Sequence, residues 1–216
     1  MTTTTLTQIR NDLFQTRTDS PLPGLTTHAY LWRGPSANVL FYSPASDDDF
    51  DAIESLGGVS AQYLSHLDEA GPMLDRVADR FGSRLHAPAA ELDAIGRHAQ
   101  VDVPVAARHV DANGVDTIPT PGHSDGSTCY LVRGVDGENY LFTGDTMFPA
   151  GDGTWSTFLV PGRGGATALR SSLELLGTVQ PDIVISSAFG GETAFEVVDT
   201  PRWSQCIDQA LASVPS

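Results

Sequence analysis

The sequence predicts a layered α/β protein, with two mixed β-sheets inside and helices outside. Three observations lead there. Strand-like and helix-like segments mix along all 216 residues. Hairpin strands occur in both halves. A helix stands between β-runs each time, the arrangement that lets helices cover sheet faces. The length suits one domain, so residues 1–216 are read as a single unit.

The elements follow in order. Residues 1–24 are polar, end in Pro21-Leu-Pro-Gly24 and read as a leader or an edge strand. Thr27–Trp32 and Asn38–Tyr42 are strand-like, and Gly34-Pro-Ser-Ala37 supplies the turn between them. Asp48–Leu56 has helical spacing, with Phe50, Ile53 and Leu56 on one face. Val59–Leu64 reads as a strand, followed by a loop over 65–71. Pro72–Phe81 reads as a helix, with proline near its start and Gly82 just past its end. Arg84–His86 is a short strand, and Ala87–His98 is expected to be helical. Strands recur around Arg108 and over Gly114–Pro119, Ser127–Arg133 and Asn139–Thr143, with a hairpin turn at Gly134–Gly137. Gly164–Leu176 is a helix, Asp182–Ser186 a strand and Arg202–Val214 the last helix.

Charge narrows the function classes. Twelve basic residues, all arginine, stand against 27 acidic ones, for a net charge of −15. A nucleic-acid binder would carry a basic stripe, and anionic membrane surfaces are disfavoured for the same reason. The run Asp47–Asp49 with Asp51 suits a helix N-terminus. There is no run of about 18 apolar residues to cross a membrane. Met1–Leu6 lacks the basic and apolar regions of a secretory signal. Cys129 and Cys206 lie far apart, with no C-x-x-C and no neighbouring histidine, as expected of structural thiols in a reduced, cytoplasmic interior.

The chemistry concentrates in three places. Thr117-Ile-Pro-Thr-Pro-Gly-His123-Ser-Asp-Gly-Ser is one. Phe142-Thr-Gly-Asp145-Thr is the second, and Leu64-Ser-His66-Leu-Asp68-Glu69-Ala-Gly71 the third. Each is a strand end running into a glycine-containing turn that displays a histidine or carboxylate. Such sets can converge into a metal or acid/base site. Asp125 could face the same pocket, as could Trp155. His28, His86, His98 and His109 fit no such position, and Trp32 and Trp203 read as packing residues. The glycine-rich stretch from Gly151 to Gly165 reads as a mobile pocket wall.

T-P-G-H-S-x-G-S followed by F-T-G-D-T resembles the metallo-β-lactamase superfamily and its glyoxalase II-like hydrolases. The strand into Leu64-Ser-His66 and the segment Asp182-Ile-Val-Ile-Ser-Ser187 are similar to that family's first and last motifs. The resemblance spans about Thr27 to Gly191. It implies a four-layer αββα sandwich of two mixed sheets flanked by helices. It also implies a depleted metal site. The family's first motif is H-x-H-x-D-H. Here His66 as first histidine puts Asp68, Ala70 and Gly71 at the later positions. Alternatively, a two-residue deletion after His66 matches Asp68 to the aspartate and Glu69 to the final histidine. His123 matches the third-motif histidine, and Asp145 the aspartate that bridges two metals. The last histidine should lie near Ala188, where alanine cannot bind metal.

The implied metal set is therefore His66, Asp68, His123 and Asp145, holding one divalent ion; Zn, Fe or Mn would each tolerate it. Asp68 or Glu69 would be the general base. The expected function is a mononuclear hydrolase of a small ester, thioester or lactone, with no nucleic-acid or membrane partner. The alternative is a metal-free, non-catalytic binding or regulatory protein on the same fold.

Overall fold

A computed structural model describes residues 6–215; of the polar start over 1–24, Met1–Thr5 lie outside it, and the rest forms strands Thr7–Arg10, at a sheet edge, Leu13–Gln15 and Asp19–Leu22. The first sheet runs Thr7–Arg10, Leu13–Gln15, Tyr30–Arg33, Asn38–Phe41, Ala61–Tyr63, Arg84–Pro88, Val103–Val105. Its first four strands are antiparallel, and the last three add in parallel. The second sheet runs His109–Val110, Asp116–Pro119, Thr128–Arg133, Asn139–Gly144, Ile183–Ser186, Phe195–Val197. Asn139–Gly144 pairs in parallel with Ile183–Ser186, and the other pairs are antiparallel.

The layers follow from alternation along the strands. Ile183 and Ile185 face the core between the sheets, with Phe41, Tyr63, Tyr130 and Phe142. Phe41 and Phe142 stack across that interface, ring centroids 3.9 Å apart. Val184 faces the other way, onto Leu141, Leu173 and Trp203, under the helices Ala166–Leu176 and Thr200–Ser213. The outer face of the first sheet buries Leu64, Leu85 and Ala87 against Leu74 of the helix Met73–Phe81 and Ile95 of Leu92–Ile95. The result is the αββα order that the resemblance implies.

Local chemistry sets the helix ends. Met73–Phe81 stops at Gly82, whose φ of +67° is the left-handed closure that glycine favours. Asp199 caps the last helix by accepting from the Arg202 N–H, with a proline in its first turn. The acidic run before Phe50–Ser55 makes no side-chain cap; Asp48 and Asp49 pair with Arg17 and Asp47 with Arg76.

Two expectations change. The helix expected over Ala87–His98 is helical only at Leu92–Ile95, after a 3₁₀ turn at Ala89–Glu91. Ala87 and Pro88 instead complete the strand from Arg84, because Ala87 packs into the outer core. Val103–Val105 is an unanticipated strand with proline at its centre, tolerated at a sheet edge where no N–H is needed. No helix among the described residues is long and apolar enough to cross a membrane.

Candidate metal centre

Three chain segments deliver the candidate residues. After Ala61–Tyr63 the chain tucks Leu64 into the outer core, turns through Ser65 and His66, and enters a 3₁₀ turn at Leu67–Glu69. His123 follows Asp116–Pro119, and Asp145 follows Asn139–Gly144. Gly144 makes their approach possible. Its φ is +54°, and a Cβ there would lie 2.2 Å from Ser65 Oγ. Tyr42 supports the same strand end: its hydroxyl accepts from the Gly144 N–H at 2.9 Å and donates to the Ile185 carbonyl at 3.2 Å.

The two imidazoles meet at right angles, ring centroids 4.7 Å apart, both buried. His123 Nδ1 lies 2.8 Å from the Phe158 carbonyl, which can only accept. Nδ1 therefore carries the proton, and Nε2 presents its lone pair. His66 reaches the same state by a relay. Ser65 Oγ donates to Glu69 Oε1 at 2.5 Å, so it accepts from His66 Nδ1 at 2.9 Å. Both Nε2 atoms are buried and have no hydrogen-bond partner. Asp145 Oδ2 is 3.6 Å from the first and 4.0 Å from the second. Ligand atoms of His66, Asp68 and His123 all lie within 4.8 Å of one another.

Buried polar atoms without partners are rare. Two imidazole lone pairs beside two carboxylates fit a divalent cation. The electrostatics agree. Burial alone would lower the His66 pKa, but Asp145 and Glu69, with Asp68 and Glu91, reverse the effect and raise it. The pocket thus favours positive charge at that ring. His123 is lowered, by burial and by His66.

The carboxylates divide in role. Asp145 has one further partner, the Ser187 hydroxyl, which donates to Oδ1. Asp68 is half exposed and takes Arg163 Nη1 at 2.9 Å. Glu69 turns inward: Oε2 accepts from the Ser65 N–H at 2.8 Å and Oε1 from its hydroxyl. Burial pushes its pKa up to about 7. Asp125 is not in the cluster; with Arg163, Leu67, Ala90 and Leu92 it lines a groove of about 360 Å³ alongside. Trp155 is buried in the outer core and donates to Glu196. Ser187 stands beside Asp145 in the segment where the family's last histidine was sought. Ala188 pairs with the strand Leu25–Thr27.

Sequence reasoning missed Arg163, Ser187, Tyr42 and Glu91. Glu91 is buried and accepts from the Leu67 N–H at 2.8 Å, fixing the 3₁₀ turn. Each acts across 24 or more residues, so no local pattern announces it. The Gly151–Gly165 stretch is tied down: Val160 N–H donates to the His123 carbonyl at 3.0 Å, and Gly165 N–H to that of Gly122 at 2.9 Å.

An αββα sandwich carrying a His/Asp cluster beyond its strand ends defines a metallohydrolase-type architecture. The profile of the metallo-beta-lactamase superfamily matches residues 60–188, more than half of the chain. The protein belongs to that superfamily. Among solved structures it is similar to a Cronobacter sakazakii metallo-β-lactamase described by its HARLDQ motif, at 18% identity over 90% of this chain and 91% of that one, TM-score 0.66. A B3 metallo-β-lactamase described as having an active-site glutamic acid matches at 12% identity over 95% and 89%, TM-score 0.64. The metallo-β-lactamase SMB-1, bound to 2-mercaptoethanesulfonate, matches at 15% identity over 85% and 81%, TM-score 0.61. At these identities the likeness is one of fold. No curated protein sequence matches significantly.

Proposed function

We propose that the protein is a hydrolase of a small ester, thioester or lactone that uses one divalent ion. The observation that carries this reading is the pair of buried, unpartnered Nε2 atoms facing two carboxylates. His66, His123 and Asp145 would hold the ion, with Asp68 as a fourth ligand or as the general base. Zn, Fe and Mn are all compatible with two imidazoles and carboxylates. Such an ion supplies Lewis acidity toward water and toward a substrate carbonyl.

The chain's own residues do the rest. The Phe158 carbonyl and Ser65 Oγ hold the two rings in the Nδ1–H tautomer, as outer hydrogen bonds do at metal sites. Ser187 orients Asp145, and Arg163 orients Asp68. Asp68 is the carboxylate with an open side, suited to take a proton from water. Both Glu69 oxygens are engaged by Ser65, which suits it to holding the turn.

This reading sets the first motif differently from either register considered above. Beside H-x-H-x-D-H, the stretch Leu64-Ser-His-Leu-Asp-Glu69 fits without a gap. His66 then takes the second histidine position, Asp68 the aspartate and Glu69 the last histidine, while Leu64 replaces the first. The letters of the HARLDQ motif run in the same frame, sharing Leu67 and Asp68. Loss of two imidazoles here and of the last one near Ser187 supports one ion rather than two. The net charge of −15 supports a small-molecule partner rather than nucleic acid or membrane. Two free, buried thiols support a reducing, cytoplasmic setting.

The test is metal content per chain on protein purified without tag or chelator, followed by an ester and thioester screen. About one equivalent, lost in His66→Ala, is expected. No uptake even with excess Zn or Mn would overturn the hydrolase and favour a metal-free binding protein.

A further inference from the structure

Phe158 differs from the other aromatic side chains. Every tryptophan and tyrosine is buried, and among the described residues Phe158 is the one exposed phenylalanine, at 55%. It lies at the metal centre, its ring centroid 6.2 Å from that of His123. Its own carbonyl accepts from His123 Nδ1. The backbone around it is fixed by Val160 N–H to the His123 carbonyl and by Thr157 N–H to Ser213 Oγ at 2.9 Å. An apolar ring is thus held open to solvent beside the His123 ring, where an apolar group entering the site could cover it.

Charge says what would cover it. Asp68 and Asp145 stand at the two imidazoles, and Asp125 lines the adjoining groove, on a chain of net charge −15. Arg163, the guanidinium lining that groove, is already paired with Asp68. A second carboxylate or a phosphate would meet more repulsion than attraction.

We propose that Phe158 is the specificity platform for an uncharged apolar group of the substrate, so that the site takes neutral esters, thioesters or lactones with an aromatic or bulky apolar acyl portion. This rests on the hydrolase reading above. The reaction balances with water alone: the acyl C–S or C–O bond breaks, a C–O bond to water forms, and the thiol or alcohol leaves with a proton.

The test uses the zinc-loaded full chain and three thioesters of N-acetylcysteamine: phenylacetyl, acetyl and succinyl. The phenylacetyl compound is expected to exceed the other two about tenfold in kcat/KM, the scale of discrimination that a small apolar contact provides. Phe158→Ala, which keeps the backbone carbonyl, should abolish that advantage, and the loss should fall on KM for the phenylacetyl compound rather than on kcat. Phe158→Tyr should restore the advantage. A second readout is saturation-transfer NMR with 4-phenyl-2-butanone and 2-butanone, which cannot be hydrolysed; only the phenyl ketone should bind, and less in Phe158→Ala. Turnover without acyl preference, or with preference unchanged in Phe158→Ala, overturns the platform and leaves the hydrolase standing. Phe158-dependent binding without turnover sinks the hydrolase and sustains the apolar site. Neither turnover nor binding sinks both.

Discussion

Two regions of this sandwich bury polar side chains, and they do so in opposite ways. At the N-terminal edge, Asp12 is 4% exposed and accepts three hydrogen bonds, from Trp32 Nε1 at 3.2 Å, the Tyr140 hydroxyl at 2.9 Å and the Val135 N–H at 2.8 Å. His28 nearby has both ring nitrogens engaged, Nδ1 by the Thr16 carbonyl and Nε2 by the Gln15 amide, and it stacks on Phe189. At the strand ends, His66 and His123 are as deeply buried, yet each leaves Nε2 without a partner. Asp145 holds a single hydroxyl. Burial of a polar group is therefore not the mark of the site, and neither is a single unpartnered atom, since the buried Tyr30 hydroxyl also lacks a partner; two unpartnered imidazole nitrogens converging beside carboxylates are. The first region joins the sheets, and the second keeps capacity for something from outside.

The strongest way to break this contrast is Asp12→Ala. Removing the carboxylate leaves the Trp32 and Tyr140 donors buried and unpaired, so stability should fall by about 3 kcal/mol. Metal uptake at the remaining folded fraction should be unchanged, the reverse of His66→Ala. Urea melts with parallel elemental analysis check this. A stable Asp12→Ala that has lost metal would show that the two regions are not independent.

The sequence made much of this legible, for definable reasons. His123 and Asp145 stand out because T-P-G-H and F-T-G-D place a ligand type directly after a strand and beside a glycine. Gly144 shows why that glycine is needed: Ser65 occupies the place of its Cβ. The stretch Leu64–Glu69 was ambiguous because one histidine among three acid or small residues fits several registers. In the structure Leu64 lies in the outer core, Glu69 folds onto Ser65 and Asp68 faces Arg163, contacts that no local pattern announces. Arg163 and Ser187 were invisible because their partners lie 95 and 42 residues away. The helix expected over Ala87–His98 is shorter because Ala87 and Pro88 extend the preceding strand, with Ala87 buried in the outer core, and a burial of that kind cannot be read from the sequence.

Acid probes the same contrast at a smaller scale. Burial lowers the pKa of His28 and pushes His86 down to about 4. An unfolded histidine titrates near 6.5. Between these values the unfolded chain binds protons that the folded chain refuses, so stability is full above 6.5 and is lost as pH falls toward 4. His86 alone should contribute about 2 kcal/mol of loss between pH 7 and pH 5. His86→Phe keeps a ring on Tyr63, against which His86 stacks at 4.1 Å, and should flatten that part of the pH dependence. An unchanged slope in His86→Phe would assign the acid sensitivity elsewhere.

The mildest change tests whether the metal centre is oriented as well as occupied. Ser187 donates to Asp145 Oδ1, and the Ser187 N–H donates to the Gly144 carbonyl at 3.3 Å. Ser187→Ala keeps the backbone bond and removes the hydroxyl alone. Asp145 is about one-fifth exposed, so water can reach Oδ1 and stability should change by less than about 0.5 kcal/mol. Metal affinity should weaken about tenfold, the usual consequence of losing an outer hydrogen bond to a ligand. A competition titration with a chromophoric chelator reads that change directly. If affinity is unaltered while His66→Ala abolishes binding, the two imidazoles hold the ion largely by themselves and Asp145 is a spectator. If affinity falls together with stability, Ser187 belongs to the saturated kind of buried polar group, and the boundary between the two regions runs through Asp145 itself.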